Sequence, residues 1–151
     1  MKVLMSKMED QEAIAELAHD LRRSVSTFVR AVRHNTGTQR SAQSETLDLL
    51  QRAGPMSVAS LASRRGVTHQ TMRLVVAQLE ANGLVRQETN PMDRRSRIAT
   101  LTPAGNDALE REREARTASI KEAIRRLLSP QEQGTLRAAL PLLDRLSQLP
   151  D

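Results

Sequence analysis

Two short stretches of this chain carry side chains suited to nucleic-acid recognition. Thr68, His69, Gln70, Thr71 and Arg73 stand close together. Gln pairs bidentately with adenine, Arg with guanine, and a Thr methyl packs on thymine. Thr68 is also placed as a helix N-cap, and the free N–H groups of a helix start suit a phosphate. Arg94, Arg95 and Arg97 form the second cluster. Arginine enters a narrow minor groove, where negative potential is concentrated. Asp93, beside them, would be repelled by phosphate and is better placed as a brace for a neighbouring arginine.

Other chemistry has little to work with. The chain has no Cys, which excludes disulfides, thiolate metal sites, Cys nucleophiles and thiol redox sensing. His19, His34 and His69 fall on different segments and offer no close pair of metal ligands. Neither an HExxH motif nor a Gly-rich phosphate loop is present. The expectation is a chain that is not an enzyme and holds no cofactor and no metal. Phe28 is the one aromatic residue. That argues against an all-β sandwich or barrel and removes the stacking platforms used on single strands.

The charge points the same way. Of a net charge of +5 over 151 residues, the window from Ser57 to Thr102 carries four, as seven arginines against three carboxylates. A polyanion is the partner this implies. No apolar run reaches the length of a membrane span, and residues 1–10 are too polar for a signal peptide. A cytoplasmic chain with no membrane partner is expected.

The elements that must position these clusters follow from spacing and stop signals. Ile14, Leu17, Leu21, Val25, Phe28 and Val32 recur every three to four residues, predicting a helix over 10–33 with Phe28 in the core. After a connector over 34–41, a second helix is expected over 41–53, with Leu47, Leu49 and Leu50 inward and Gly54-Pro55 as its end. Ser57 is the next N-cap, with Met56 before it, and Val58, Leu61 and Ala62 form a short apolar stripe. Gly66 supplies a tight turn, and a helix over 68–82 buries Met72, Val75, Val76 and Leu79 before Gly83 stops it. Two helices joined in this way make a helix-turn-helix, whose second helix enters the major groove.

Residues 84–88 and 97–101 are short and alternating, on either side of the turn formers Asn90, Pro91 and Asp93. They predict a β-hairpin wing, with 89–97 reaching the minor groove. Thr102-Pro103 opens a long polar helix to about Leu128, carrying the pairs Glu110–Arg113, Glu112–Arg116 and Glu122–Arg126. Ser129 and Glu132 form a capping box for a last helix with Leu136, Leu140, Leu143 and Leu146. Pro141 lies inside that helix and is expected to kink or split it.

The fold class is therefore mainly α, a winged helix-turn-helix of about six helices with a small β-hairpin, built as one intertwined domain. Residues 41–102 form the DNA-binding region, and 1–40 with 103–151 the dimerisation region. The flanking apolar stripes exceed what the small lobe can cover, so a second copy of the chain is expected to cover them. Such a homodimer would read a pseudo-palindromic operator in double-stranded DNA, with half-sites about one helical turn apart.

The run GPMSVASLASRRGVTHQTMRLVVAQLEANGLV, then Asp93-Arg94-Arg95, then Leu101-Thr102-Pro103-Ala104-Gly105, resembles the multiple antibiotic resistance regulator (MarR) family. The family's wing pattern is D-x-R, then L-T, then a Gly opening a long helix. Asp93, Arg95, Leu101, Thr102 and Gly105 match it. The resemblance covers residues 41–105 by motif and the rest by helix order. It implies a dimeric winged-helix transcription factor, usually a repressor, often released from DNA by a small-molecule effector. It further implies that Arg95 is the wing arginine in the minor groove and Asp93 its structural partner. The family's effector pocket, between the dimer helices and the DNA-binding lobe, would fall at Leu21, Val25, Phe28 and Leu47. Two positions depart from the pattern. Leu74 stands where a basic residue is frequent, and Arg97 where a strand residue is often apolar. Two further readings remain: a constitutive architectural DNA-binding protein without an effector, with a steep salt slope, and a helical protein–protein adaptor.

Overall fold

The computed structural model describes residues 2–148, with side chains from residue 9 onward. Residues 1 and 149–151, the outer ends of the expected flanking region, lie outside the described residues. Six helices and three strands follow in the order α1 (Lys2–Asn35), α2 (Ala42–Ala53), β1 (Met56–Ser57), α3 (Val58–Arg65), α4 (His69–Ala81), β2 (Val85–Asn90), β3 (Asp93–Leu101), α5 (Pro103–Leu127) and α6 (Pro130–Leu146). The strands form an antiparallel sheet in the order β1-β3-β2. Among the described residues no helix is long and apolar enough to cross a membrane.

Short hydroxyl side chains start the helices that matter. Ser57, Thr68 and Thr102 each accept a hydrogen bond from the backbone N–H three residues on, satisfying a donor the first turn cannot. Gly66 ends α3 in the left-handed region, with φ 64° and ψ 33°, which turns the chain sharply into α4. One core joins the pieces. Leu47 and Leu50 of α2, Val58, Leu61 and Ala62 of α3, Met72, Val76 and Leu79 of α4, Val85, Ala99 and Leu109 pack together.

The structure corrects several expectations. The first helix begins at Lys2, well before residue 10. Phe28 is not core; it is 50 % exposed. Met56 and Ser57 form an additional edge strand, paired with Ala99 and Ile98. The hairpin strands run farther toward the tip, leaving only Pro91 and Met92 as the turn. There the turn formers act locally. Asn90 accepts from the Met92 amide and Asp93 from the Arg95 amide, both at 3.0 Å. Glu122 pairs with Arg125 rather than Arg126: the Nε and Nη2 edge of Arg125 donates to both oxygens of its carboxylate. The helix α6 is not split: it runs through Pro141, which removes a single ladder hydrogen bond.

The flanking helices differ from the lobe. Helix α6 buries no residue. Along α1, Ile14 and Leu17 are 65 % and 68 % exposed, and among its described side chains only Val32, near its end, is buried.

Candidate nucleic-acid interface

The helix α4 is anchored by one face and offers the other. Met72, Val76 and Leu79 hold it in the core. Thr68, His69, Gln70, Thr71 and Arg73 are all exposed. The Thr68 hydroxyl accepts from the Thr71 amide at 3.1 Å and lies 2.9 Å from the Thr71 hydroxyl. Both threonines are thus engaged in the cap. The first-turn amides of His69 and Gln70 have no backbone partner among the described residues, so they are the donors left for an anion.

The wing stands beside this face. Arg94, Arg95 and Arg97 are exposed, and with Arg64 and Arg73 they have no ion-pair partner among the described residues. Two other arginines of the same window are occupied: Arg65 by Glu45 of α2, and Arg86 by Glu88 at 2.9 Å. Asp93 does brace an arginine, but through the main chain. Its carboxylate accepts the Arg95 amide and fixes the bend from which that side chain projects.

Arg97 shares the sheet face of the buried Ala99 but lies two residues farther along, past the edge of the core. An arginine is tolerated there because that face has opened to water, and because Glu80 of α4 is near. Sequence reasoning missed Glu80. Its carboxylate accepts the Gln87 backbone amide at 2.9 Å and the Gln87 side-chain amide at 2.8 Å. The Gln87 backbone hydrogen bond, then the Gln87 side chain, then the charge of Arg97 hold the Glu80 carboxyl below its ordinary value, against the opposing effect of burial. This latch ties α4 to the base of the wing. Nothing in the local sequence marks it, since the seven-residue separation becomes contact only through the register of β2.

The Leu-Thr-Pro-Ala-Gly segment does its work at the other end of the wing. The Thr102 hydroxyl donates to the Gly83 carbonyl at 2.6 Å and accepts from the Gly105 amide at 3.0 Å. A Cβ on Gly105 would lie 2.1 Å from the Leu84 carbonyl oxygen. Only glycine lets α5 approach so closely.

The expected effector residues are dispersed. Val25 lines an open groove of about 890 Å³ with Val29, Arg30, Arg33, His34 and Arg40. Phe28 lines a second groove, of about 420 Å³, with Val32, Arg33, Arg113, Arg116 and Ile120. Leu21 lines neither groove, and Leu47 belongs to the core. Arg33 borders both, and sequence reasoning had not singled it out. It donates to the Thr38 carbonyl at 3.3 Å, while its buried Nε has no partner among the described residues. No group of three or more His, Cys, Asp or Glu among the described residues is placed to hold a metal ion.

Comparison with known proteins agrees with this geometry. A sequence profile of the MarR family matches residues 36–96. An uncharacterized HTH-type transcriptional regulator of Bacillus subtilis is 34 % identical over 90 residues, covering 60 % of this chain and 58 % of the relative. For that relative, the match spans a little over half of its length. Another from Mycobacterium leprae is 28 % identical over 138 residues, covering 90 % of this chain and 96 % of the relative. The crystal structure of a putative transcriptional regulator from Pseudomonas aeruginosa superposes with a TM-score of 0.75 at 28 % identity, covering 89 % of this chain and 96 % of that one.

Proposed function

The chain belongs to the MarR family of transcriptional regulators, and from that premise we propose that it is a homodimeric, sequence-specific repressor of double-stranded DNA released by a small molecule. One observation carries the reading. The exposed face of α4 and the exposed wing present Gln70, Arg73, Arg94, Arg95 and Arg97 together, with no intramolecular ion pair to occupy the four arginines among the described residues. An arginine without a carboxylate partner keeps its charge and its planar fork for phosphate and base edges. In this reading α4 lies in the major groove and the wing follows the adjacent minor groove.

The dimer rests on the uncovered faces of α1 and α6, which a second copy would bury. The release step rests on the groove beside α1. Arg30, Arg33, Arg40 and His34 line it together with apolar Val25 and Val29. An anionic group on a small apolar body matches that lining of three arginines, one histidine and two valines.

Selection of bound duplexes from a random library tests the reading. A palindrome with half-sites about one turn apart is the expected result. Arg95→Ala then weakens binding to all sequences by a similar factor and flattens the salt dependence. Gln70→Ala or Arg73→Ala costs about 1–3 kcal/mol on the selected duplex and relaxes preference at one base pair. Tight, salt-sensitive binding with no enriched sequence would instead establish an architectural protein. Absence of binding, also after refolding that removes any carried effector, would overturn the reading in favour of the adaptor.

A further inference from the structure

Leu74 is 64 % exposed in the middle of the recognition helix, a position none of the contacts above explains. At about 100° per residue, Gln70, Leu74, Ala77 and Ala81 run along the side of α4 opposite Met72, Val76 and Leu79. Leu74 therefore stands one turn from Gln70, in line with it. Its surroundings are polar and cationic. His69, Gln70 and Arg73 are exposed on the same helix, and the helix's one carboxylate, Glu80, is engaged by Gln87. An apolar protein groove would have to desolvate that charge to reach Leu74, whereas DNA would neutralise it. Within the major groove the one apolar feature that a base edge presents is the C5-methyl of thymine.

We propose that Leu74 packs on a thymine methyl, one in each half-site and next to the base read by Gln70, and so makes the chain discriminate thymine from cytosine at that step. The inference rests on the DNA-binding reading above and adds to it a specificity-determining contact particular to this chain.

Deoxyuridine provides the test, because it removes the methyl and keeps the O4 acceptor and the base pairing. Each thymidine of the duplex selected by the unmodified chain is replaced singly. Binding of the chain and of Leu74→Ala is then titrated at fixed salt. Burying one methyl corresponds to about a fourfold change in affinity. At one symmetric position, uracil should weaken the unmodified chain about fourfold. Leu74→Ala, which removes the contact from both half-sites, should lose about sixteenfold on the thymine duplex and be indifferent to uracil at that position. Folding does not confuse the result, since alanine at an exposed helical site is a better helix former, and the circular dichroism of the variant checks it. Uracil that is neutral at every position would overturn the proposal. So would an equal uracil penalty in both proteins, or full affinity of Leu74→Ala for the thymine duplex. Failure to select any duplex would overturn the DNA-binding reading itself, an outcome distinct from a selected duplex that ignores the methyl.

Discussion

The winged lobe and the helices around it use apolar residues in opposite ways. In the lobe, Leu61, Val76 and Leu79 are fully buried and close a core drawn from α2, α3, α4, the sheet and Leu109 at the start of α5. In the flanks, Ile14, Leu17, Leu140 and Leu146 recur at helical spacing yet face water in the single chain. The same periodicity therefore has two meanings. In the lobe the complementary surface lies on other elements of the same chain, as where Leu47 and Leu50 meet Met72, Ala99 and Leu109. In the flanks it does not, and a helix such as α6 with no buried residue cannot owe its stability to packing within its own chain. The lobe, with the start of α5, closes a core within one chain, whereas the flanks leave apolar stripes that the proposed dimer would bury.

The sharpest break of that contrast is a charge on the flanks. Leu17→Asp combined with Leu140→Asp should convert the proposed dimer to monomer in sedimentation velocity, because an unpaired carboxylate in an apolar interface costs several kcal/mol. The lobe's secondary structure should persist. A second variant addresses the lobe. Leu79→Ala should cost about 2–5 kcal/mol in denaturant unfolding, from lost burial plus the cavity left behind. A comparable loss in dilute protein for Leu17→Ala would erase the difference between the two regions.

Smaller effects sharpen the description of the lobe. Gly105→Ala should destabilise by about 1–3 kcal/mol, because its methyl would overlap the Leu84 carbonyl and the Leu101 side chain. Thermal unfolding reads this directly, and a neutral result would mean that α5 can lift away from the wing freely. The smallest expected change is at the latch. Glu80→Gln should cost about 1 kcal/mol, since hydrogen bonds to a partly solvated carboxylate contribute modestly. Its pH dependence follows from the depressed carboxyl. The stabilisation is present above the ordinary glutamate value and is lost as pH falls through the lower, folded one. The difference in melting temperature between the unmodified chain and Glu80→Gln should therefore close on acidification. A difference that persisted in acid would assign the latch to shape rather than charge.

Much of the lobe was legible because its signals are local. Hydroxyl caps at Ser57, Thr68 and Thr102 mark helix starts, Gly66 marks the turn, and the apolar spacing of Met72, Val76 and Leu79 leaves the neighbouring polar residues outward. The wing's arginines and Asp93 could be placed for the same reason. Phe28 was misplaced because amphipathic spacing says which face is apolar and not what covers it. The full reach of β2 and β3 was also hidden. Asn90 and Asp93 are disfavoured in strands and are extended because the hairpin ladder pairs them with each other.

What the sequence by itself determined is the set of elements and the chemistry of their exposed faces, since caps, glycines and helical periodicity act within a few residues. Only the tertiary structure decided which distant groups meet. It put Glu80 on Gln87, the Asp93 carboxylate on a backbone amide rather than a guanidinium, and Gly105 against Leu84. It also left Leu74 64 % exposed, and left the apolar side chains Ile14 and Leu17 of α1 and all of α6 without burial. The reason is geometric: contacts across many residues depend on strand register and helix docking, which the packing of the whole core sets and no local stretch encodes.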